Sequence, residues 1–386
     1  MLTMVPRPGA ARQARREHFV ETQPSDRRND IVDEESAASF PASDAPSSTP
    51  VTGEGRGQTM SKHAPKLGFT LSSEESTPSD LVRHAQIAED AGLDFLMVTD
   101  HFHPWTNRQG NSPFVWSVLG GVASVTRNIA VGTGVTCPSM RTHPAIIAHA
   151  SATVAAMMPG RFTLGLGSGE ALNEHVIGEH WPTAGVRLDR LEEAIHIIRR
   201  LWSGEEYTYH GQHFTVESAR LYTRPEAPPP IVVAATGPKS ARLARENDGL
   251  VVTGPSSELI ESVRSENPDA AVYGQVTLCW DPDEQKARET ALEWWPISAL
   301  SWPIRTNLAT PDLIDDAVEH VGMEAVTQKI VCTSRPDPIV ETIRTYAEAG
   351  IDHIYMHQVG PRQQEFLDFF ARELKPALAQ AVNVRV

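Results

Sequence analysis

Short apolar runs that return between helical stretches constrain this chain more than any other feature. Phe95-Leu96-Met97-Val98, Ile129-Ala130-Val131-Gly132, Phe162-Thr163-Leu164-Gly165, Ile231-Val232-Val233-Ala234-Ala235 and Gly249-Leu250-Val251-Val252 each read as a strand covered on both faces, as in a parallel sheet. A further strand, Leu67 to Leu71, precedes Thr77-Pro78-Ser79-Asp80, which places an N-cap, a proline at the first helical position and an acid in the first turn. Leu81, Ala85, Ala88 and Ala91 continue this as a helical stripe ending at Gly92, and residues 186 to 202 carry a second, clearer stripe. Ala91-Gly92-Leu93-Asp94 before Phe95 is echoed by Ala349-Gly350-Ile351-Asp352 before His353-Ile354-Tyr355-Met356. A helix stopped by glycine, a turn and a strand at both ends of the regular region predict a closed (β/α)8 TIM barrel. An open doubly wound sheet is the competing topology, but no Gly-x-Gly-x-x-Gly fingerprint follows the first strand. Residues 256 to 330, with Trp294, Trp295, Pro296 and Trp302, read as an insertion of helices and loops that covers a pocket.

Residues 1–62 differ in kind. They are rich in Ser, Thr, Pro, Asp, Glu and Arg, and residues 21 to 60 hold a single aromatic, Phe40. Such a segment buries too little apolar surface to offset its ordering entropy, so it reads as a disordered tail ahead of one domain, 63–386. Neither Arg15-Arg16 nor Arg27-Arg28 is followed by the apolar segment of an export signal, and Met60 offers an alternative start where the composition changes. With 34 basic and 49 acidic residues the formal charge is −15, which argues against a nucleic-acid partner. No apolar run approaches the ~20 residues of a membrane span. Cys137, Cys279 and Cys332 are odd in number and widely spaced, which fits a reducing, cytoplasmic compartment better than a disulfide framework.

In a parallel barrel, residues just past the strand ends share one mouth. Four ends are loaded with chemistry: Asp100-His101-Phe102-His103-Pro104-Trp105, Thr133-Gly134-Val135-Thr136-Cys137-Pro138, Gly167-Ser168-Gly169-Glu170-Ala171-Leu172-Asn173-Glu174, and Ala235-Thr236-Gly237-Pro238. An Asp-His pair after a strand is as often a hydrogen-bonded turn as a catalytic element. Gly165 to Gly169 serves either a tight turn or close backbone approach to a ligand. Trp105 reads as a wall of the mouth, and Glu74 is a solvated loop acid unless the barrel closes. His101, His103, Glu170 and Glu174 lack the tight spacing of a metal site, so no metal is expected. Together these ends point to an enzyme acting on a small molecule.

Leu67-Gly68-Phe69, Glu74, the segment Thr99 to Trp105, the segment Gly165 to Glu174 and Leu201-Trp202-Ser203-Gly204 resemble coenzyme F420-dependent glucose-6-phosphate dehydrogenases of the bacterial-luciferase-like superfamily. The resemblance runs from about 66 to 380 and is densest before 250. It implies a homodimeric, luciferase-like barrel with the deazaflavin lying across Asp100, a Gly134-Val135 bulge holding a cis peptide, Thr136, Glu170, Asn173 and the Thr236-Gly237 turn. It further implies His101 as base for an alcohol hydroxyl, Glu170 as acid or charge partner near N1 of the ring, and Trp105 and Glu74 as substrate-positioning groups. One departure stands out: Ser256 occupies the place of a phosphate-binding lysine, leaving Arg305 and Lys329 as the substrate-binding cations. Glucose 6-phosphate is accordingly a doubtful substrate, and a neutral sugar, another secondary alcohol, or a carbonyl reduced by F420H2 is equally compatible. One rival reading keeps the fold and changes the chemistry, a luciferase-like FMN-dependent monooxygenase; another, of a different class, is a non-catalytic deazaflavin or ligand carrier.

Overall fold

Each apolar run becomes a strand because only the interior of a sheet sheathed by helices buries both of its faces. The structure is a computed structural model in which residues 64–381 are described; the tail expected over 1–62 and the start at Met60 lie outside them. The strands are β1 (Lys66–Leu71), β2 (Phe95–Val98), β3 (Ala130–Thr133), β4 (Phe162–Leu166), β5 (Tyr207–His210), β6 (Thr215–Ala219), β7 (Ile231–Ala234), β8 (Gly249–Val252), β9 (Ala271–Trp280), β10 (Val331–Thr333) and β11 (His353–Gln358). Eight of them run parallel in the order β1-β2-β3-β4-β7-β8-β9-β11 and close back onto β1. This is a (β/α)8 barrel. β10 pairs with the C-terminal end of β9, at Leu278–Trp280, and β5 with β6 forms a separate antiparallel hairpin.

The turns beneath the strands share one device. Asp94, Asp248 and Asp352 each accept the backbone N–H of the first or second residue of a neighbouring strand, from Leu67, Ile231 and Val272 at 2.7, 2.7 and 2.9 Å. The echo at Ala-Gly-x-Asp is part of it: Gly92 and Gly350 both take positive φ, +78° and +93°, which glycine supplies without steric cost. Leu67, Phe69, Leu96, Val98, Leu164, Ile231, Val233 and Leu250 join the large core under the helices. Phe95, Met97, Val232, Val251, Tyr273 and Tyr355 form a second, smaller core that fills the barrel floor. With the floor packed, chemistry is confined to the upper mouth.

The expected helix over 186 to 202 spans Ala184–Trp202, and the one after Thr77 spans Pro78–Asp90 with the Thr77 hydroxyl accepting from Asp80 N–H at 3.3 Å. The segment 256 to 330 is not wholly an insertion. It contains a barrel helix, Ser257–Arg264, and the seventh barrel strand, β9; the added cover is the set of helices from Glu284–Trp294 to Met323–Thr327. Trp105, Leu172, Trp295, Ile297, Ile314 and Val326 share an apolar cluster that binds the cover to the mouth. No described helix is long and apolar enough to cross a membrane.

Candidate active site

Barrel closure takes Glu74 out of water: it is 1% exposed, and its Oε2 accepts hydroxyl protons from Ser72 and Thr99, each at 2.8 Å. It is therefore not the solvated loop acid that an open sheet would leave. Oε1 of Glu74 lies 3.3 Å from Nδ1 of His101. The same nitrogen is 3.2 Å from the backbone oxygen of His103, which only accepts, so Nδ1 carries a hydrogen and, in the neutral imidazole, the lone pair is on Nε2. Nε2 faces Oε2 of Glu170 at 3.8 Å, too long for a hydrogen bond. Burial raises the proton affinity of Glu170, Glu74 adds to this, and His101 and Arg305 oppose it. In its neutral form the imidazole thus turns a lone pair toward a carboxyl biased toward its protonated form. The ring of Trp105, 7% exposed, lies 5.0 Å from that of His101 at 60° and anchors the cover cluster with its other side.

Beside this group lies a network organised by a residue that the sequence does not flag, Arg141. Its Nη2 donates to Oδ1 of Asp100 at 2.9 Å, its Nε is 3.7 Å from Oε1 of Glu174, and its backbone N–H donates to Oε2 of Glu174 at 2.7 Å. Burial works against the guanidinium's charge, but Asp100 and Glu174 outweigh it and hold the group charged more firmly than usual. Glu174 has the opposite balance: burial pushes its carboxyl up to about 7 despite the arginine. The other oxygen of Asp100 accepts from the Thr136 hydroxyl at 2.8 Å. Asn173 accepts from the backbone N–H groups of Phe102 and His103 at 2.9 and 3.4 Å and donates to Glu170 at 3.4 Å. These contacts pin the ends of β2, β3 and β4 to one another.

The Gly134–Val135 peptide is cis, at the position named in the sequence. Above Gly132 the regular β3–β4 ladder gives way to side-chain bonding: the Thr133 hydroxyl accepts from Gly165 N–H at 3.0 Å and donates to Gly165 O at 2.8 Å. A Cβ on Gly165 would stand 2.0 Å from the Thr133 oxygen, whereas one on Gly237, beyond β7, would meet nothing within 4 Å. Thr236 and Gly237 precede the helix Pro238–Arg245, whose Ser240 hydroxyl lies 3.2 and 3.3 Å from their N–H groups.

Of the expected substrate cations, Arg305 is half-buried on the helix Trp302–Asn307, 5.0 Å over the Trp302 ring, and its Nε has no hydrogen-bond partner. Burial lowers its proton affinity and the nearby Glu170 opposes that. Lys329 is exposed before β10, and among the described residues no hydrogen bond or ion pair joins it to the site. Ser256 is exposed at the start of the helix Ser257–Arg264. Among the described residues no group of three or more His, Cys, Asp or Glu is placed to hold a metal ion.

Residues 59–353 match the family model described as luciferase-like monooxygenase. The chain belongs to the luciferase-like family. Its similar relatives include dehydrogenases: F420-dependent glucose-6-phosphate dehydrogenases of Segniliparus rotundus and Gordonia bronchialis are 36% and 35% identical over 328 and 329 residues. Those alignments cover 81% of this chain and 98% and 97% of the relatives. Among solved structures, an F420-dependent secondary alcohol dehydrogenase in complex with an F420-acetone adduct superposes with a TM-score of 0.75 at 29% identity, covering 82% of this chain and 99% of that one. A tetrahydromethanopterin reductase from Methanopyrus kandleri, at 21% identity and a TM-score of 0.66, shares the barrel fold.

Proposed function

We propose that this protein is an F420-dependent oxidoreductase that moves a hydride between the carbinol carbon of a secondary or sugar-like alcohol and the deazaflavin. The carrying observation is the arrangement Glu74–His101–Glu170 in a barrel mouth whose relatives act with that coenzyme. The residues present fit such a group: at the Gly237 turn, where a Cβ would meet nothing within 4 Å, the backbone is open to close approach of a planar ring. Asn173, Gly134, Val135, Thr236 and Gly237 would line it, with Asp100 and Thr136 holding that wall through Arg141. When bound, F420 supplies a two-electron hydride acceptor at C5 of its ring.

The remaining work falls to the protein. Nε2 of His101 takes the hydroxyl proton as the carbinol hydride leaves, and the carbonyl forms from the remaining electron pair. The His103 carbonyl fixes the tautomer at Nδ1, and Glu74, 3.3 Å from the same nitrogen, stabilises the imidazolium that results. Glu170 holds a proton at Oε2 for the reduced ring, and Trp105 shapes the substrate space beside the imidazole. Arg305 is the anion contact for substrate, with Lys329 joining only if its side chain swings toward the mouth. With Ser256 in place of one cation, the site would lose about 1.5–3 kcal/mol of charge-assisted bonding to a phosphate dianion, which favours alcohols without a phosphate. A reducing cytoplasm and a homodimer, with residues 63–386 as one domain, complete this reading; the three free cysteines support the compartment.

Equilibrium titration of the purified protein with oxidised F420 and, separately, FMN tests it. Saturable binding of F420 with bleaching by a secondary alcohol is expected. Binding of FMN alone, with oxygen uptake when the flavin is reduced, would favour the monooxygenase reading instead.

A further inference from the structure

β9 turns two polar side chains into the barrel just above its floor. Val272, Val276 and Leu278 join the large core under the helices, whereas Tyr273 belongs to the floor cluster inside. Successive side chains of a strand alternate between faces, so Gln275 and Thr277 point inward with Tyr273 and lie above it. Tyr273 is 8% exposed, but Gln275 and Thr277 are only half-buried. A side chain that points into a closed, floored barrel and still meets solvent meets it through the mouth. Among the described residues, the one side-chain hydrogen bond of either runs between them, from Gln275 Nε2 to the Thr277 hydroxyl at 3.2 Å. The amide oxygen, the second amide hydrogen and the Thr277 hydroxyl hydrogen stay available to solvent or a ligand.

A third hydroxyl shares their layer. On β1, a Cβ at Gly68 would stand 2.5 Å from the Phe95 ring of the floor cluster, so Gly68 and, two residues on, Thr70 face inward. Phe69 is level with Met356 and Thr277 with His357, which places Thr70 and Thr277 at one height on either side of β11. Thr70 is 2% exposed, and its hydroxyl has no hydrogen-bond partner. Packing alone would favour apolar groups here, since unpaired buried polar atoms cost stability. The place of β9 in the ring decides what these groups meet: it stands across the barrel from β3, four strands away in either direction. A coenzyme ring against Gly134 and Val135, at the end of β3, leaves the space toward β9, β11 and β1 to the substrate. The inference rests on that placement of the coenzyme.

We propose that Gln275 and Thr277, with Thr70 in the same layer, form a specificity subsite for a neutral hydroxyl group of the substrate other than the one oxidised. The substrate class narrows to unphosphorylated polyhydroxy alcohols. An amide and hydroxyls exchange hydrogen bonds with such a group, bring no charge to a phosphate, and are left unpaired by a simple alkanol. The test compares wild type, Gln275→Leu, Thr277→Val and the double variant of the full chain, with F420, on myo-inositol, the cyclohexanediols and cyclohexanol. These share a cyclohexane ring with a secondary carbinol and differ in their further hydroxyls. Wild type should have a higher kcat/KM for at least one polyol than for cyclohexanol. That ratio should fall about tenfold or more in each variant, through KM more than kcat. A wild type that prefers cyclohexanol to every polyol overturns the proposal, and so do variants that lower kcat/KM for polyol and cyclohexanol by the same factor, as a merely structural role would. Should the double variant fail to fold, the near-isosteric Thr277→Val decides by the same ratio. Failure of F420 to bind or turn over would defeat the reading of the reaction. The subsite is then judged by saturation-transfer NMR of the polyols with coenzyme-free protein: weaker binding by the variants supports it, and equal binding or none overturns it.

Discussion

Among single residues, the site is a contrast of carboxyls with different surroundings. Glu74 has two hydroxyl donors and an imidazole, whereas Glu174 has two backbone N–H donors and a long contact to Arg141 yet is pushed up to about 7 by burial. A raised carboxyl lowers stability as pH climbs: the folded chain keeps a proton that the unfolded chain releases above about 4.3. The loss grows from there to about 7 and then levels. We expect Glu174→Gln to flatten this part of the stability–pH curve, removing up to about 3 kcal/mol of pH dependence, in urea melts of coenzyme-free protein from pH 4.5 to 8. An unchanged slope would show that Arg141 holds Glu174 ionised. The residues of the mouth were legible where they directly follow an apolar run, as Asp100 and His101 follow β2 and Glu170 follows β4. Arg141 was not, because its meaning lies in contacts with Asp100 and Glu174 that exist only once the barrel closes.

At the level of elements, the wall between β3 and β4 does two jobs, since it continues the barrel and ends it in an irregular rim. Thr133 takes over the ladder where the regular register stops, and Gly165 gives it room. Gly165→Ala should therefore cost about 3 kcal/mol or more, because the new methyl meets a backbone oxygen that cannot turn aside. Gly237→Ala makes the informative contrast: its φ is −156° and its Cβ would enter open space, so thermal stability should hold while F420 affinity falls. Calorimetry and coenzyme titration of both variants check the pair, and a stable Gly165→Ala would mean that the rim is more plastic than its contacts imply. The strands most legible in the sequence were the uninterrupted apolar ones. β9 is not legible because Gly274, Gln275 and Thr277 break its hydrophobic run, and it lies in the same segment as the tryptophan-rich cover. The β5–β6 hairpin was missed too: its strands are mostly exposed or half-exposed and carry no apolar run.

Across the whole molecule, a closed barrel with a packed floor leaves one place where residues from β1, β2, β4 and β11 meet, and the helices after β9 close over it. The family relationship extends over most of the chain, so the fold and the deazaflavin dependence of its relatives stand together, while Ser256 and Lys329 are exposed. In the proposed reaction His101 takes a proton while the carbinol hydrogen leaves as hydride. Its most direct test is turnover with a secondary alcohol deuterated at the carbinol carbon, followed by location of the label in the reduced coenzyme. Deuterium at C5 of F420, a primary isotope effect on kcat, and a loss of about 10²–10⁴ in kcat for His101→Ala with F420 binding retained are expected. Label appearing in water, or full turnover by His101→Ala, would contradict it.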